Sequence, residues 1–189
     1  IVRKCTENGV KLVVDECFND FLTDAERHTR KDLLESNPGL IILRAYTKMY
    51  AVPGVRFGWC MTSDAALIEK LYHAGQPWNV SVIAQACAAA AANEPDWATE
   101  TAKRIAEERR FLSDGLAACG LTVFPGEANF LLFRSNDTGL HEKLAEHGIM
   151  IRNCDNYRGL SAGYYRVAVK TREASKCLLN AIKLIIENG

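Results

Sequence analysis

A lysine and an arginine eight positions apart mark the part of the chain where chemistry is most strongly indicated. Lys48 follows a short apolar run at residues 40–43, and a breaker at residues 51–54 separates it from Arg56. The run predicts a buried strand, so Lys48 is expected in a loop at the strand's carboxyl end, where open α/β sheets bind ligands. A lysine desolvated there becomes a nucleophile that forms a Schiff base with carbonyls, and Arg56 could bind a phosphate. The alternative is a solvated lysine and a surface arginine, since both residue types are mostly exposed.

A second stretch supplies an acid. Three apolar residues at 12–14 run directly into Asp15 and Glu16. The run predicts a strand buried on both faces, which places Asp15 at its carboxyl end on the ligand side of a parallel sheet. An aspartate paired to a pyridinium nitrogen, together with a Schiff-base lysine, is the arrangement expected of a pyridoxal phosphate site. The alternative for such an acid pair is a solvated turn or a helix cap.

Together the two stretches resemble the class I/II aminotransferase superfamily of pyridoxal phosphate-dependent enzymes, fold type I. The resemblance covers essentially the whole chain and is to the carboxyl-terminal half of such enzymes. It implies an α/β fold: part of the large domain, with a mixed, mostly parallel sheet, at residues 1–95, and a smaller α+β carboxyl-terminal domain at residues 96–189. Because family members carry about as many residues again before this point, we expect a fragment that is inactive alone. Three motifs carry the resemblance: Asp15-Glu16-Cys17-Phe18, Ala45-Tyr46-Thr47-Lys48 and Gly54-Val55-Arg56-Phe57-Gly58-Trp59.

The resemblance implies a role for each matching residue at the cofactor. Lys48 is the catalytic residue and carries the internal aldimine of pyridoxal 5′-phosphate. Asp15 pairs with the pyridinium nitrogen, and Thr47 and Arg56 bind the cofactor phosphate.

Two positions depart from the family pattern. Phe18 stands where most relatives have a tyrosine that donates to the cofactor's 3′ oxygen, and Ala45 stands where a serine or threonine often contacts the phosphate. Losing a phenol hydrogen bond to a charged oxygen changes cofactor binding by about 1.5–3 kcal/mol. We therefore expect a site whose cofactor affinity or aldimine pKa differs from that of most relatives.

Two arginines of the second domain are candidates for binding the substrate. Arg152 follows a predicted strand at residues 149–151, and Arg166 interrupts a predicted strand at residues 164–169. A lone arginine in an apolar strand is costly to bury unless an internal acid or a ligand anion meets it. The resemblance implies that Arg166 holds the substrate's α-carboxylate and that Arg152 helps to bind a second anionic group.

Two subgroups of the superfamily compete. The lysine and arginine motifs are shared with histidinol-phosphate aminotransferases, whereas the segments at residues 77–80, 151–160 and 166–170 look more like threonine-phosphate decarboxylases of cobalamin synthesis. The expected function is therefore decarboxylation of threonine-O-3-phosphate, a small phosphorylated amino acid, to aminopropanol phosphate. The alternatives are a histidinol-phosphate or related amino-acid aminotransferase and, in another class, a non-catalytic pyridoxal-sensing module.

The remaining pattern predicts the elements around these residues. An alanine-rich helix at residues 82–92 is expected to be buried, and Trp78 before it either lines a substrate pocket or packs in the core. An amphipathic helix at residues 173–187 closes the chain, with Ile185 and Ile186 facing inward.

Composition excludes several kinds of partner. Lys and Arg number 23 against 23 Asp and Glu, which gives no basic field for nucleic acid. No apolar run is long enough to span a bilayer. Seven cysteines are dispersed without a close pair, which argues against a zinc site and for free thiols in a reducing cytoplasm. No metal is expected, and the full-length protein is expected to be a homodimer.

Overall fold

The structure is a computed structural model that describes residues 1–187, apart from the side chain of Pro95. It divides into two compact units, the first spanning Ile1–Thr101 and the second beginning at Ala102. The sequence places a domain boundary between residues 95 and 96, but helix α5 (Pro95–Ala118) is continuous through that point. The assignment of two family domains therefore stays a prediction.

The first unit contains a three-stranded sheet in the order β1, β2, β3. Strand β1 (Leu12–Asp15) runs parallel to β2 (Leu40–Ala45), with Asp15 beside Leu43 in the register. Strand β3 (Gly58–Met61) is antiparallel to β2, with Gly58 beside Ala45. The carboxyl ends of β1 and β2 and the beginning of β3 therefore share one edge of the sheet.

Four helices lie wholly in the first unit. Two of them begin at side-chain caps that accept a backbone hydrogen bond, Asp64 from Leu67 and Ser81 from Ala84. Such caps satisfy amide groups that have no partner within the helix. The helices are α1 (Val2–Glu7), α2 (Ala25–His28), α3 (Ala65–Ala74) and α4 (Val82–Ala92), and single 3₁₀ turns cover Asn19–Phe21 and Lys31–Leu33.

Strand β2 is the central strand of this sheet and is buried, whereas β1 is a partly exposed outer strand. Leu40 and Ile42 are buried, whereas Val13 on β1 is 55% exposed. The prediction that β1 is buried on both faces is therefore wrong. An apolar run shows that a strand forms, but it cannot show how many faces of that strand are covered.

Helix α4 and the loop before it also differ from expectation. Within α4 only Ala84 is buried, and Val82 and Ile83 are 81% and 71% exposed. The prediction of a buried helix is therefore wrong, because small alanine side chains make a helix apolar without fixing what covers it. Trp78 has a positive φ of 60° and is 96% exposed, so it does not pack in the core.

The second unit contains a four-stranded antiparallel sheet in the order β4, β5, β7, β6. Its core packs the inner face of β5 and β7 against α5, α6 and α7, with Phe133, Tyr165, Leu116, Leu144 and Ile182 fully buried. The strands are β4 (Thr122–Phe124), β5 (Phe130–Arg134), β6 (Arg152–Asn153) and β7 (Tyr164–Ala168), and the helices are α6 (Leu140–Glu146) and α7 (Arg172–Glu187).

Two predictions for this unit are wrong. Residues 149–151 do not form a strand; Met150 there is 91% exposed, and the strand begins at Arg152 instead. Ile186 is 49% exposed, so the inner face of α7 ends before it. Apolar side chains indicate burial, but strand pairing needs a backbone partner, and in this segment only Arg152 and Asn153 pair with β7. Within residues 1–187, no helix has the length and apolar character needed to cross a membrane.

Candidate functional site

The shared edge of the first sheet brings the predicted cofactor residues together. Asp15 is the last residue of β1, Thr47 and Lys48 lie in the turn that follows β2, and Arg56 lies just before β3. Since Asp15 pairs with Leu43 and Ala45 with Gly58, the three segments meet at that edge. The carboxyl ends of parallel strands are where α/β sheets bind ligands.

Asp15 is held as a carboxylate. Its Oδ1 accepts a hydrogen bond from the backbone N–H of Cys17 at 2.9 Å. Hydrogen bonds from the Cys17 thiol and from its backbone N–H lower the pKa of Asp15 below its usual value. An ionised acid at the sheet edge suits a protonated ring nitrogen.

The same contact makes Cys17 a poor nucleophile. Burial, the hydrogen bond to Asp15 and the negative charge of Asp15 raise the pKa of the Cys17 thiol to about 11. We expect iodoacetamide at pH 8 to modify Cys17 roughly tenfold more slowly than an ordinary exposed thiol, because the lower thiolate fraction outweighs its higher nucleophilicity. Peptide mass spectrometry would compare Cys17 with the exposed Cys60 and Cys177. Equal modification rates at all three cysteines would contradict the raised pKa of Cys17.

The turn after β2 presents Lys48 outward. Thr47 and Met49 are buried at 8% and 2% exposure, while Lys48 between them is exposed. Backbone hydrogen bonds from Tyr50 to Tyr46 and from Ala51 to Lys48 close the turn. The sequence predicts a desolvated lysine. Lys48 is instead exposed, because Thr47 and Met49 take the inward positions of the turn.

Arg56 sits in a strained loop. Its φ is +61° and its Nη1 donates to the carbonyl oxygen of Pro53 at 2.9 Å, which leaves the exposed guanidinium other donors for an anion. A non-glycine residue in this conformation costs about 1–3 kcal/mol, and such residues cluster at functional sites. Two residues on, a Cβ at Gly58 would lie only 3.0 Å from the carbonyl oxygen of Arg44, so the close pairing of β2 and β3 leaves little room for a side chain there.

Sequence reasoning missed a buried ion cluster beside Asp15. Arg44 on β2 forms ion pairs with Glu16, through Nε at 3.4 Å, and with Asp20. The side chains of Arg44 and Glu16 are only 13% and 4% exposed. A signal was available, because Arg44 lies at the end of an apolar run and a buried arginine needs an acid.

Sequence reasoning also missed an apolar cavity beside the Lys48 turn. Its volume is about 450 Å³, within the range of small-molecule pockets. Tyr46, Tyr50 and Trp97 contribute its aromatic wall, with the rings of Tyr50 and Trp97 stacked at 6.5 Å. Nothing in the local sequence joins residue 97 to residue 50, so only the fold reveals this wall.

The second unit pairs the two predicted substrate arginines. Arg152 and Arg166 are direct cross-strand partners in β6 and β7, and both are exposed. Arg166 lies over the ring of Phe130 at 4.9 Å, and Arg152 over that of Tyr157 at 5.8 Å. Among residues 1–187 neither arginine forms an ion pair, so of the two partners considered from the sequence, an internal acid and a ligand anion, the internal acid is not found. Like charges placed directly opposite are unfavourable unless an anion joins them.

Comparisons with known proteins identify the family of the chain. The family model "Aminotransferase class I and II" matches residues 1–182. A threonine-phosphate decarboxylase from Salmonella typhimurium is 34% identical over 98% of the chain and 51% of that protein. A histidinol-phosphate aminotransferase from Nitratidesulfovibrio vulgaris is 31% identical over 94% of the chain and 48% of that protein. The chain thus spans about half the length of the curated relatives it matches.

A solved structure supports the same conclusion. The histidinol-phosphate aminotransferase from Clostridium acetobutylicum is 28% identical and superimposes with a TM-score of 0.93, covering 100% of this chain and 57% of that one. The resemblance drawn from the motifs and the α/β fold class are therefore confirmed. The chain belongs to the class I and II aminotransferase family, whose members are pyridoxal phosphate-dependent enzymes.

Proposed function

We propose that the whole protein decarboxylates a phosphorylated amino acid, converting threonine-O-3-phosphate to aminopropanol phosphate in cobalamin synthesis, with pyridoxal phosphate as cofactor. The observation that carries the proposal is the cross-strand pair of Arg152 and Arg166, exposed and without an acid partner among the described residues. A phosphate and a carboxylate on one substrate match two adjacent guanidinium groups. The 34% identity to a threonine-phosphate decarboxylase supports this substrate class.

The residues at the sheet edge fit the cofactor. An ionised carboxylate at Asp15 suits a ring nitrogen, an exposed amine at Lys48 suits an aldehyde, and donors at Thr47 and Arg56 suit a phosphate. When bound, pyridoxal phosphate supplies an electron sink for the bond broken at the substrate's Cα. Lys48 would return a proton to Cα after carbon dioxide leaves, since a lysine side chain at the cofactor can act as a general acid.

Substrate binding follows from the charges on the second unit. Arg166 would hold the α-carboxylate and Arg152 the phosphate, each through charge-assisted hydrogen bonds. The aromatic faces beneath the two guanidinium groups keep them in place without neutralising them. Both positive charges therefore stay available to the substrate.

A histidinol-phosphate aminotransferase is the second candidate. The TM-score of 0.93 to an enzyme of that name favours it. Its reaction removes the Cα proton where the decarboxylase removes the carboxylate, and Lys48 could move a proton in either case. Both substrates carry a phosphate, so Arg152 would serve in both.

The homodimer and the cytoplasmic location belong to the same proposal. Exposed apolar side chains on α3 and α4, among them Tyr72 and Val82, support a further contact surface. Free cysteines dispersed through both units support a reducing compartment.

Two parallel assays test the reaction. The whole protein with pyridoxal phosphate is mixed with O-phosphothreonine, and separately with histidinol phosphate and 2-oxoglutarate. We expect carbon dioxide and aminopropanol phosphate from the first mixture and little glutamate from the second. Abundant glutamate without carbon dioxide would contradict the decarboxylase and favour the aminotransferase. The role proposed for Lys48 would stand in either case.

A further inference from the structure

The ion cluster around Arg44 ties the Asp15 strand to its neighbour. Arg44 lies on β2, and its two acid partners, Glu16 and Asp20, begin and end the loop that leaves β1. The backbone N–H of Glu16 also donates to the carbonyl oxygen of Leu43 at 2.9 Å, which extends the strand pairing beyond Asp15. One guanidinium thus fixes both ends of the loop that starts immediately after Asp15.

Glu16 is fully engaged within this cluster. Its Oε2 accepts a hydrogen bond from the hydroxyl of Thr29 at 2.7 Å, and its Oε1 accepts one from the backbone N–H of Arg30 at 2.8 Å. Thr29 is only 3% exposed. With Arg44 beside it, this buried carboxylate has partners on both oxygens, and satisfied networks of this kind are rigid.

The loop between the two acids contains the contact that orients Asp15. Cys17 donates its backbone N–H to the Asp15 carboxylate at 2.9 Å, and the backbone N–H of Asn19 donates to the Glu16 carbonyl oxygen at 2.9 Å. Asn19 and Phe21 are buried and anchor the far end. The direction of the Asp15 carboxylate therefore depends on a loop whose geometry Arg44 holds.

We propose that Arg44 is a positioning residue, which holds the loop at residues 16–20 so that Asp15 faces the ring nitrogen of the cofactor. This rests on the proposed function for the identity of the ring, but the effect of Arg44 on the loop does not. Lysine cannot replace arginine here, because an ammonium lacks the planar fork that spans two carboxylates.

The test uses Arg44→Lys, which keeps the buried positive charge and loses only the fork. The whole protein, without added cofactor, is treated with iodoacetamide, and Cys17 modification is followed by peptide mass spectrometry. We expect Arg44→Lys to accelerate Cys17 modification several-fold, because the loop that shields the thiol loosens. With pyridoxal phosphate added, we expect about tenfold weaker cofactor binding and a smaller visible circular dichroism band from the bound ring.

Two control variants separate positioning from general destabilisation. Arg27→Lys makes the same change at an exposed arginine on α2 and should match the wild type in every measurement. Ser81→Ala removes the cap of α4 and should lower the melting temperature without changing Cys17 reactivity or the cofactor band.

The outcomes decide between the claims. If Arg44→Lys matches the wild type in Cys17 reactivity, cofactor affinity and dichroism, or behaves only like Ser81→Ala, Arg44 is not a positioning residue. If the wild type itself binds no pyridoxal phosphate, the proposed function fails, and the Cys17 measurement still decides whether Arg44 holds the loop.

Discussion

Replacing Lys48 by alanine is expected to lower the turnover of the whole protein by a factor on the order of 10²–10⁴, the usual contribution of a positioned acid–base group. The expectation has a physical basis in the fold. Lys48 is an exposed amine in a closed turn that follows β2, and Asp15, whose pKa is lowered, ends the neighbouring parallel strand β1. Steady-state kinetics with O-phosphothreonine measure the loss.

A matched substitution tests whether the loss of turnover is specific to Lys48. Lys70→Ala removes an exposed lysine of α3 in the same unit and should leave turnover unchanged. Melting curves for both variants would show that each folds. Turnover by Lys48→Ala within a factor of about ten of the wild type would be below any acid–base contribution and would remove Lys48 from the chemistry.

The second large effect is expected at Arg166. Arg166→Ala should lower kcat/KM for the phosphorylated substrate by a factor on the order of 10–100, since a charged hydrogen bond of about 1.5–3 kcal/mol is lost. The side chain is exposed on β7 and stacks on Phe130, so its removal leaves no buried acid unpaired among the described residues. The fold should therefore tolerate the change, and the loss should report on substrate binding.

Arg104→Ala, at an exposed arginine of α5 in the same unit, is the matched control and should behave as the wild type. Arg166 also separates an enzyme from a non-catalytic pyridoxal-sensing module. Kinetics that do not change in Arg166→Ala, or no turnover of any phosphorylated amino acid by the wild type, would favour the sensing module.

The sequence predicts the sheet edge well because strands and their ends are local features. The apolar runs before Asp15 and Lys48 each form a strand, and β1 and β2 are parallel as the crossover between them requires. Burial was harder to predict, as Val13 shows with 55% exposure. How many faces of a strand are covered depends on residues far away in the chain.

The missed features share a physical cause, which is contact between distant residues. Arg44 meets Glu16 and Asp20 across two strands, and Trp97 reaches the Lys48 turn by donating its indole N–H to the carbonyl oxygen of Met49 at 3.1 Å. A charge in the sequence says only that a partner is needed. The prediction of a strand at residues 149–151 was wrong for a related reason, because apolar side chains do not show which backbone segments pair.

Borohydride trapping tests the central claim most directly. The whole protein is incubated with pyridoxal phosphate, reduced and digested, and the modified peptide is identified by mass spectrometry. If Lys48 holds the cofactor, the pyridoxyl group is expected on Lys48 at close to one per chain, and Lys48→Ala should carry none. A stable reduced adduct on a different lysine, or no adduct in the wild type, would contradict the account.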